Sequence, residues 1–213
     1  MFDERITTYI RSLEKQNSKF LTEIEHLAHR EQVPIIRKEM ESFLRVMLQI
    51  KKPENILELG TAIGYSALFM SEYCSSAKIV TIENYEKRIE TAKENIKKAG
   101  KEDIIRLLNG DAMEIMPTLT ENSFDFVFMD AAKAQYIYYL PEVLRLMKPG
   151  AILISDNILQ EGDLIESRFT VRRRDRTIHK RMREYLEVVK NHPMLTTTII
   201  PLGDGVTVSV KNE

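Results

Sequence analysis

The chain has 213 residues and a formal net charge of −1, and 43% of its residues are hydrophobic. This length and composition predict one globular α/β domain with a substantial core. The charge balance excludes a strong overall electrostatic field, but it allows a local charged patch, and the single cysteine, Cys74, excludes an intrachain disulfide.

The N-terminal quarter of the chain is predicted to be helical. Residues 1–5 are charged and carry no apolar secretory signal, and no run approaches the roughly 20 apolar residues of a membrane span. We therefore expect a cytoplasmic protein that does not associate with membranes. Apolar residues at helical spacing predict helices within 3–50, interrupted at Pro34. We expect residues 1–52 to form a helical cap over the ligand edge of a sheet, with Met40 either packed in the core or lining a cofactor pocket.

Residues 53–213 are predicted to form the catalytic sheet core of the same single domain. Apolar, β-branched runs predict strands over 55–59, 78–83, 104–108, 124–130 and 151–156. Between them lie predicted helices over 65–73, 85–99, a short segment reaching Pro117, and a segment that ends in a turn at Lys148-Pro149-Gly150; a charged helix over about 174–190 follows. Two further runs, 196–200 and 206–210, flank Gly203-Asp204-Gly205, which is a hairpin signal.

This order of elements predicts the fold class. Strands that alternate with helices indicate an α/β, doubly wound, Rossmann-like fold with a seven-stranded, mostly parallel sheet. The last two strands close the sheet as an antiparallel hairpin. In such sheets ligands bind beyond the carboxyl ends of the strands.

The glycine-rich turn after the first strand predicts a nucleotide-like ligand. Gly60 and Gly64 follow the apolar run of that strand and let the backbone approach a ligand closely. Their spacing is not that of the usual dinucleotide motif, and the chain has no phosphate-binding loop of the ATPase type. Glycines at such a turn are often only structural.

Acidic residues at the strand ends strengthen this interpretation. Glu83 ends the second predicted strand, where a carboxylate can accept hydrogen bonds from both ribose hydroxyls. Asp111 follows Gly110 after the third strand and could accept from an adenine amino group. Glu58, inside an apolar strand end, either orders the glycine turn or meets the positive part of a ligand. Together these residues favour an adenosine-bearing ligand without a long phosphate chain.

A second group of polar residues predicts a metal site. Asp130 ends the fourth strand, and Asp156-Asn157 ends the fifth. Two carboxylates and an amide oxygen suit Mg²⁺ or another divalent cation. The alternative is a helix cap and a simple turn. Lys133 lies at the mouth of the same site, where a partly desolvated lysine can act as a base.

At these residues the chain resembles the metal-dependent, catechol-type O-methyltransferases. The resemblance rests on Glu58-Leu59-Gly60, Gly64-Tyr65-Ser66, Glu83, Gly110-Asp111-Ala112, Asp130-Ala131-Ala132-Lys133 and Asp156-Asn157. It implies S-adenosylmethionine as the methyl donor. By the same resemblance Gly60 and Ser66 lie along its methionine portion, Glu83 takes the ribose hydroxyls, Asp111 and Ala112 border the adenine, and Lys133 is the base. The implied donor set also includes Met40, Glu58, Gly64, Gly110 and Asp130, and the implied metal ligands are Asp130, Asp156 and Asn157.

The chain departs from the catechol enzymes at one point, since it has no tryptophan. Those enzymes carry Trp between the first metal Asp and the Lys, where this chain has Ala131 and Ala132. The chain resembles more closely the bacterial branch described as tRNA 5-hydroxyuridine methyltransferases. That resemblance implies methylation of 5-hydroxyuridine at the tRNA wobble position, giving 5-methoxyuridine.

A basic segment supports a tRNA acceptor. Between Arg168 and Tyr185 there are eight Lys and Arg residues against two acidic ones. Such a run is either a solvated helix face or a phosphate-contacting patch near the active-site mouth. The residues expected in that patch are Arg168, Arg172, Arg173, Arg174, Arg176, Lys180 and Arg181.

Two other interpretations remain open at this point. One is O-methylation of a small catechol-like or caffeoyl-type acceptor, and the other is a binding module that kept the fold without catalysis. The family resemblance and the apolar N-terminal helices also predict a homodimer.

Overall fold

The structure is a computed structural model, which describes residues 4–167 and 169–213. The helices are α1 (Glu4–Ser12), α2 (Lys19–Arg30), α3 (Lys38–Lys51), α4 (Tyr65–Tyr73), α5 (Glu86–Lys98), α6 (Ala112–Ile115), α7 (Tyr136–Leu146) and α8 (Arg176–Asn191). The strands are β1 (Asn55–Leu59), β2 (Lys78–Glu83), β3 (Ile105–Asn109), β4 (Phe124–Met129), β5 (Met147–Asp156), β6 (Leu195–Ile200) and β7 (Val206–Lys211). No helix in this part of the chain combines the length and apolar character that a membrane crossing needs.

The seven strands form one sheet in the order β3-β2-β1-β4-β5-β7-β6. β1 pairs in parallel with both β2 and β4, β2 with β3, and β4 with β5. β7 runs antiparallel to β5 and to β6. The predicted doubly wound fold with a C-terminal hairpin is confirmed. The order reverses at β1, so the carboxyl ends of β1 and β4 flank the crevice where such sheets bind ligands.

Alternating strand residues build a core on each face of the sheet. Ile56 on β1 belongs to the core formed with α2, α3, α4 and α5, whereas the next residue, Leu57, belongs to the core formed with α7 and α8. This alternation follows from the two-residue repeat of a strand. Both faces are covered, which explains why the strand sequences read as continuous apolar runs.

The N-terminal helices cover a face of the sheet more than its ligand edge. Leu21 of α2 and Leu44 of α3 are fully buried in the same core as Phe69 of α4. Most of residues 4–52 therefore pack on a face of the sheet and not over its ligand edge as expected, because the apolar stripes of α2 and α3 need a broad apolar surface to pack on. Within residues 4–52, only the segment 34–40 reaches that edge.

Several element boundaries differ from the prediction. β3 is shifted by one residue from 104–108 to Ile105–Asn109, and β4 ends at Met129, one residue before Asp130. The predicted turn at Lys148-Pro149-Gly150 is wrong, because these residues lie inside β5, which begins at Met147. The register between β4 and β5 shifts between Phe124 and Phe126. Such an irregularity lets a strand include proline and glycine.

Candidate active site

A cleft of about 520 Å³ opens at the carboxyl ends of the central strands. Its floor is the glycine turn after β1, together with the ends of β2, β4 and β5. Its walls are the segment before and at the start of α3 and the turn between β6 and β7. The site therefore joins strands from both halves of the sheet.

The glycine turn packs directly against the end of β4. Gly60 has φ +98°, and a Cβ atom there would collide with the backbone carbonyl oxygen of Asp130. The two strand ends are also joined by a hydrogen bond from Asp130 N to Leu59 O (3.0 Å). Gly64 has φ +84° and forms the N-cap of α4. Only glycine fits Gly60 without strain, since both its conformation and its free space exclude a side chain.

Glu83 lies at the cleft wall and is held by the backbone. Its carboxylate accepts hydrogen bonds from Ala62 N (2.8 Å), Asn84 N (3.0 Å) and Tyr85 N (2.9 Å). These contacts fix the carboxylate and tie the glycine turn to the end of β2. A carboxylate has further lone pairs, so Glu83 can still accept from a ligand hydroxyl.

The predicted adenine edge is only partly brought to the cleft. Gly110 and Ala112 line it, but Asp111 does not. The Asp111 side chain instead caps α6 by accepting from Met113 N (2.8 Å). An Asp before a helix satisfies the free backbone N–H groups at its start. The contact of Asp111 with a ligand stays a prediction.

Glu58 lies beneath the glycine turn and does not line the cleft. It is completely buried. The Thr81 hydroxyl donates to Oε2, while Oε1 has no hydrogen-bond partner. Burial raises the pKa of Glu58 to about 7, against the lowering effect of the Ser66 and Thr81 hydroxyls. Of the two predicted roles for Glu58, the structure favours ordering the turn over contacting a ligand.

Other predicted donor residues lie at the cleft. Met40 is buried and lines the cleft, so it satisfies the core and the pocket interpretations together. Ser66 and Tyr65 line it at the start of α4. The Tyr65 hydroxyl donates to Glu41 Oε1 (2.7 Å) and accepts from Asn17 Nδ2 (2.9 Å). This network fixes the start of α4 against the N-terminal helices.

The three predicted metal ligands meet at one point of the cleft. Asn157 Nδ2 donates to Asp130 Oδ1 (3.2 Å), and Asn157 N donates to Asp156 Oδ1 (2.6 Å). Asn157 has φ +59°, a left-handed conformation that asparagine tolerates better than most residues. Burial raises the pKa of Asp130, while Lys133 and Asn157 oppose this rise. Burial and then the Asp130 charge raise the pKa of Asp156 to about 7.

This donor set fits a hard divalent cation. Within residues 4–167 and 169–213, no group of three His, Cys, Asp or Glu side chains surrounds a common point. The candidate site therefore consists of two carboxylates and one amide, and a half-turn of the Asn157 amide would present its oxygen. Two buried carboxylates that repel each other gain from a cation between them. Three oxygen donors would leave room for water and acceptor oxygens.

Lys133 lies at the cleft on a short turn that α8 holds in place. The turn spans Lys133–Gln135. Arg181 of α8 donates from Nη1 to Ala134 O (3.3 Å), and its guanidinium stacks 4.9 Å from the Tyr138 ring centroid. The beginning of α8 is thereby fixed next to the proposed base.

The basic segment divides into anchoring and exposed residues. Arg176 donates to the carbonyl groups of Val171 and Phe169, and Lys180 pairs with Glu184 at 3.5 Å. Arg176 and Arg181 therefore help to hold neighbouring backbone, and the contact of the seven predicted cations with phosphates stays a prediction. Arg172, Arg173, Arg174 and Lys180 are exposed, and Arg168 lies outside the described residues.

Three parts of the cleft wall were not predicted from the sequence. They are the Pro34–Arg37 segment, Tyr85 with Arg88, and the Leu202–Asp204 turn. Pro34 had indicated only a break between helices, and Gly203-Asp204-Gly205 only a hairpin turn. The hairpin signal does not show that this turn lies beside the end of β5. That position follows from the antiparallel pairing of β5 with β7.

The fold and the cleft match known proteins. The family described as O-methyltransferase matches residues 11–212. A catechol O-methyltransferase of Niastella koreensis is 34% identical over 132 residues, which cover 60% of this chain and 60% of that relative. A Staphylococcus aureus structure, provisionally classed as a caffeoyl-CoA O-methyltransferase, has a TM-score of 0.91 and 28% identity, covering 99% of this chain and 100% of that chain. A Bacillus cereus O-methyltransferase solved in complex with SAH has a TM-score of 0.84 and 26% identity, covering 98% of this chain and 97% of that one.

The fold and the cleft thus define an S-adenosylmethionine-dependent O-methyltransferase. Within that class, the chain belongs to the family of the catechol and caffeoyl-CoA O-methyltransferases.

Proposed function

We propose that the chain transfers the methyl group of S-adenosylmethionine to the 5-hydroxyl of 5-hydroxyuridine at the wobble position of tRNA. The observation that carries this choice of acceptor is the exposed cluster Arg172, Arg173 and Arg174. It lies on the connection from β5, which ends at the candidate metal site, to α8, which contacts the Lys133 turn. An exposed basic surface on this connection suits an acceptor that carries phosphates.

The donor is proposed to occupy the half of the cleft formed by β1 and β2. There Gly60 lets the backbone approach the methionine portion, with Ser66 beside it, and Glu83 accepts from the ribose hydroxyls. Gly110 and Ala112 border the adenine. SAH bound to the B. cereus enzyme supports this class of donor.

The acceptor is proposed to occupy the half formed by β4 and β5. Asp130, Asp156 and Asn157 would hold a divalent cation, which supplies Lewis-acid polarisation of the acceptor oxygens when it is bound. Lys133 Nζ takes the proton of the acceptor hydroxyl. The new O–CH₃ bond forms as the S–CH₃ bond breaks, and its electron pair goes to sulfur, which leaves a neutral thioether. The chain contributes mainly by placing the two reactants in line.

5-Hydroxyuridine fits such a site because its 5-hydroxyl and 4-carbonyl are neighbouring oxygens, as in a catechol. The same three side chains could therefore serve either acceptor. The chain has no tryptophan to cover a small aromatic ring. Tyr136, an aromatic residue three positions after Lys133, is fully buried. Its hydroxyl donates to backbone carbonyl oxygens of β4 and β5.

The proposal is tested with purified enzyme, S-adenosylmethionine, Mg²⁺ and hydroxyuridine-containing tRNA. We expect 5-methoxyuridine by mass spectrometry of the nucleosides. The triple variant Arg172→Ala/Arg173→Ala/Arg174→Ala should weaken tRNA binding and lower the slope of log affinity against log salt by roughly 2 to 3. The matched control, Lys93→Ala/Lys97→Ala/Lys98→Ala, removes three exposed cations from α5 and should leave both unchanged. The proposal would be refuted if the wild-type enzyme methylates catechols but leaves the hydroxyuridine-containing tRNA unmodified.

A small catechol-like or caffeoyl-type acceptor is the second candidate, and the names of the relatives favour it. It predicts methylation of such a molecule at a rate that neither triple variant changes. A direct competition between a catechol and hydroxyuridine-containing tRNA in one reaction ranks the two acceptors.

The same proposal includes a homodimer. Ile6, Tyr9, Ile10 and Leu13 are exposed on or just after α1, and Val46 and Ile50 are exposed on α3. α1 is attached to α3 by polar contacts such as Arg11 to Glu39 (2.8 Å). A second copy would cover these apolar side chains. We expect a dimer mass in light scattering, and a monomer for Tyr9→Glu/Leu13→Glu.

A further inference from the structure

The connection between β5 and α8 carries two large apolar side chains in contact with solvent. Phe169 is 85% exposed and Ile165 is 82% exposed. The connection has its own buried anchors, Leu164 and Val171. Phe169 is therefore not needed to hold the connection on the core. A lone exposed apolar residue is ordinary, so its surroundings decide whether it has a role.

The backbone beneath Phe169 is held by side chains of α8. Arg176 donates from Nη2 to the carbonyl oxygen of Phe169 itself (3.3 Å) and from Nε to that of Val171 (3.2 Å). His179 Nε2 donates to Glu166 O (3.1 Å), and Arg183 Nη1 donates to Leu164 O (3.1 Å). These bonds fix the course of the connection on both sides of Phe169. The ring is thus presented to solvent from an anchored backbone.

The charges next to Phe169 are cationic and almost unpaired. Arg172, Arg173 and Arg174 are exposed. Arg174 approaches the carboxylate of its neighbour Asp175 at 3.6 Å, with 75% of its side chain exposed. Among the described residues no carboxylate lies within ion-pairing distance of Arg172 or Arg173. An exposed aromatic ring and exposed guanidinium groups on one short segment are features that proteins use to bind single-stranded nucleic acid.

We propose that Phe169 is the platform on which an unpaired base of the RNA stacks, while Arg172, Arg173 and Arg174 contact the adjoining phosphates. This inference rests on the proposed function and adds a recognition residue to it. The stacked base is one beside the target, because the target base itself must enter the cleft. One ring and one aliphatic chain are too small an apolar area for membrane insertion.

The absence of tryptophan from the chain gives a direct probe. Phe169→Trp introduces the sole indole, so its emission reports on that position alone. We expect quenching when a seven-nucleotide single-stranded RNA or a whole tRNA is added, and little quenching with duplex RNA or polyphosphate. Ile165→Trp is the matched control, since it places the indole on the same connection away from the proposed stack.

Substitution provides the second readout. Phe169→Ala should weaken binding of the single-stranded RNA and lower kcat/KM on tRNA by roughly tenfold, the scale of one stacked base. Phe169→Trp should retain both, whereas Phe169→Leu, which is apolar without a π face, should lose them. Because no cation is removed, the salt slope should stay that of wild type. Activity on a free hydroxyuridine nucleoside should be unchanged in all three variants.

The outcomes separate the inference from the proposed function. Methylation of tRNA together with wild-type kinetics for Phe169→Ala, or equal quenching at positions 169 and 165, overturns the inference alone. No binding of tRNA or single-stranded RNA by the wild type overturns both. Loss of binding in Phe169→Leu with retention in Phe169→Trp supports the stack. Quenching by anionic vesicles or an acidic peptide, but not by RNA, would assign the surface to another partner.

Discussion

Replacing the buried acid Glu58 by glutamine should remove a defined part of the pH dependence of stability. Glu58 is completely buried, and burial raises its pKa from 4.5 to about 7. Between these two values the unfolded chain releases the proton while the folded chain keeps it. The folded state then binds more protons than the unfolded state. The contribution of Glu58 to the free energy of unfolding therefore falls as pH rises from 4.5 to about 7, and it is constant above that. Below 4.5 both states are protonated and the full contribution is present.

The size of this contribution follows from the two pKa values. A tenfold difference in proton affinity corresponds to about 1.4 kcal/mol, so the change across the window is about 3 kcal/mol. Glu58→Gln has no proton to release and should lack this term. Because the amide also changes local hydrogen bonds to Thr81, a constant offset between the variants is allowed. The prediction concerns only how the difference between them varies with pH.

The assay is urea unfolding of both proteins at pH 4.5, 5.5, 6.5 and 8, with EDTA present throughout. Relative to wild type, Glu58→Gln should gain about 3 kcal/mol between the lowest and the highest pH. Asp130 and Asp156 produce slopes of the same sign in both proteins, so they cancel in the difference. Glu102→Gln, an exposed control, should give a flat difference. A flat difference for Glu58→Gln as well would show that Glu58 is ionised in the fold and would refute the reasoning.

Three further predictions test the site and its support. Gly60→Ala should abolish donor binding in calorimetry and destabilise the fold, because the added Cβ would meet the Asp130 carbonyl oxygen. The control is Gly100→Ala, where φ is +62° and nothing lies within 4 Å of the added Cβ. It should lower the free energy of unfolding by only about 1 kcal/mol and leave donor binding intact. EDTA should abolish methyl transfer and Mg²⁺ should restore it, whereas Asp156→Asn should not be restored at the same Mg²⁺ concentration; full activity in EDTA would exclude the metal. Tyr65→Phe should lower the unfolding free energy by about 1 to 3 kcal/mol, since the hydroxyl bonds Glu41 and Asn17, while Tyr138→Phe should change it by less than about 0.5 kcal/mol.

The sequence was sufficient for the fold class and for much of the site. Parallel strands place their carboxyl ends at one edge, so the residues after β1, β2, β4 and β5 had to converge. Asp130, Asp156 and Asn157 were predicted to meet, and they do. This part was predictable because the apolar runs fix which residues end each strand.

Orientation at the strand ends was not predictable. Glu58 and Asp111 have the same chemical character as Glu83, yet Glu58 points below the turn and Asp111 caps a helix. Strand register decides the first, since Glu58 pairs with Thr81 and lies opposite it. Local competition for free N–H groups decides the second. The spacing of acidic residues in the sequence predicts neither of these two orientations.

The contact between Gly60 and Asp130 joins the two halves of the cleft that we propose for the donor and the acceptor. The glycine turn is tied to β2 through Glu83 and to β4 through the Asp130 backbone. Asp130 is in turn tied to the end of β5 through Asn157. A displacement of the turn would therefore move the candidate metal ligands with it. Methyl transfer needs donor sulfur, methyl group and acceptor oxygen in line, and a rigid join between the two halves preserves that line whichever acceptor enters.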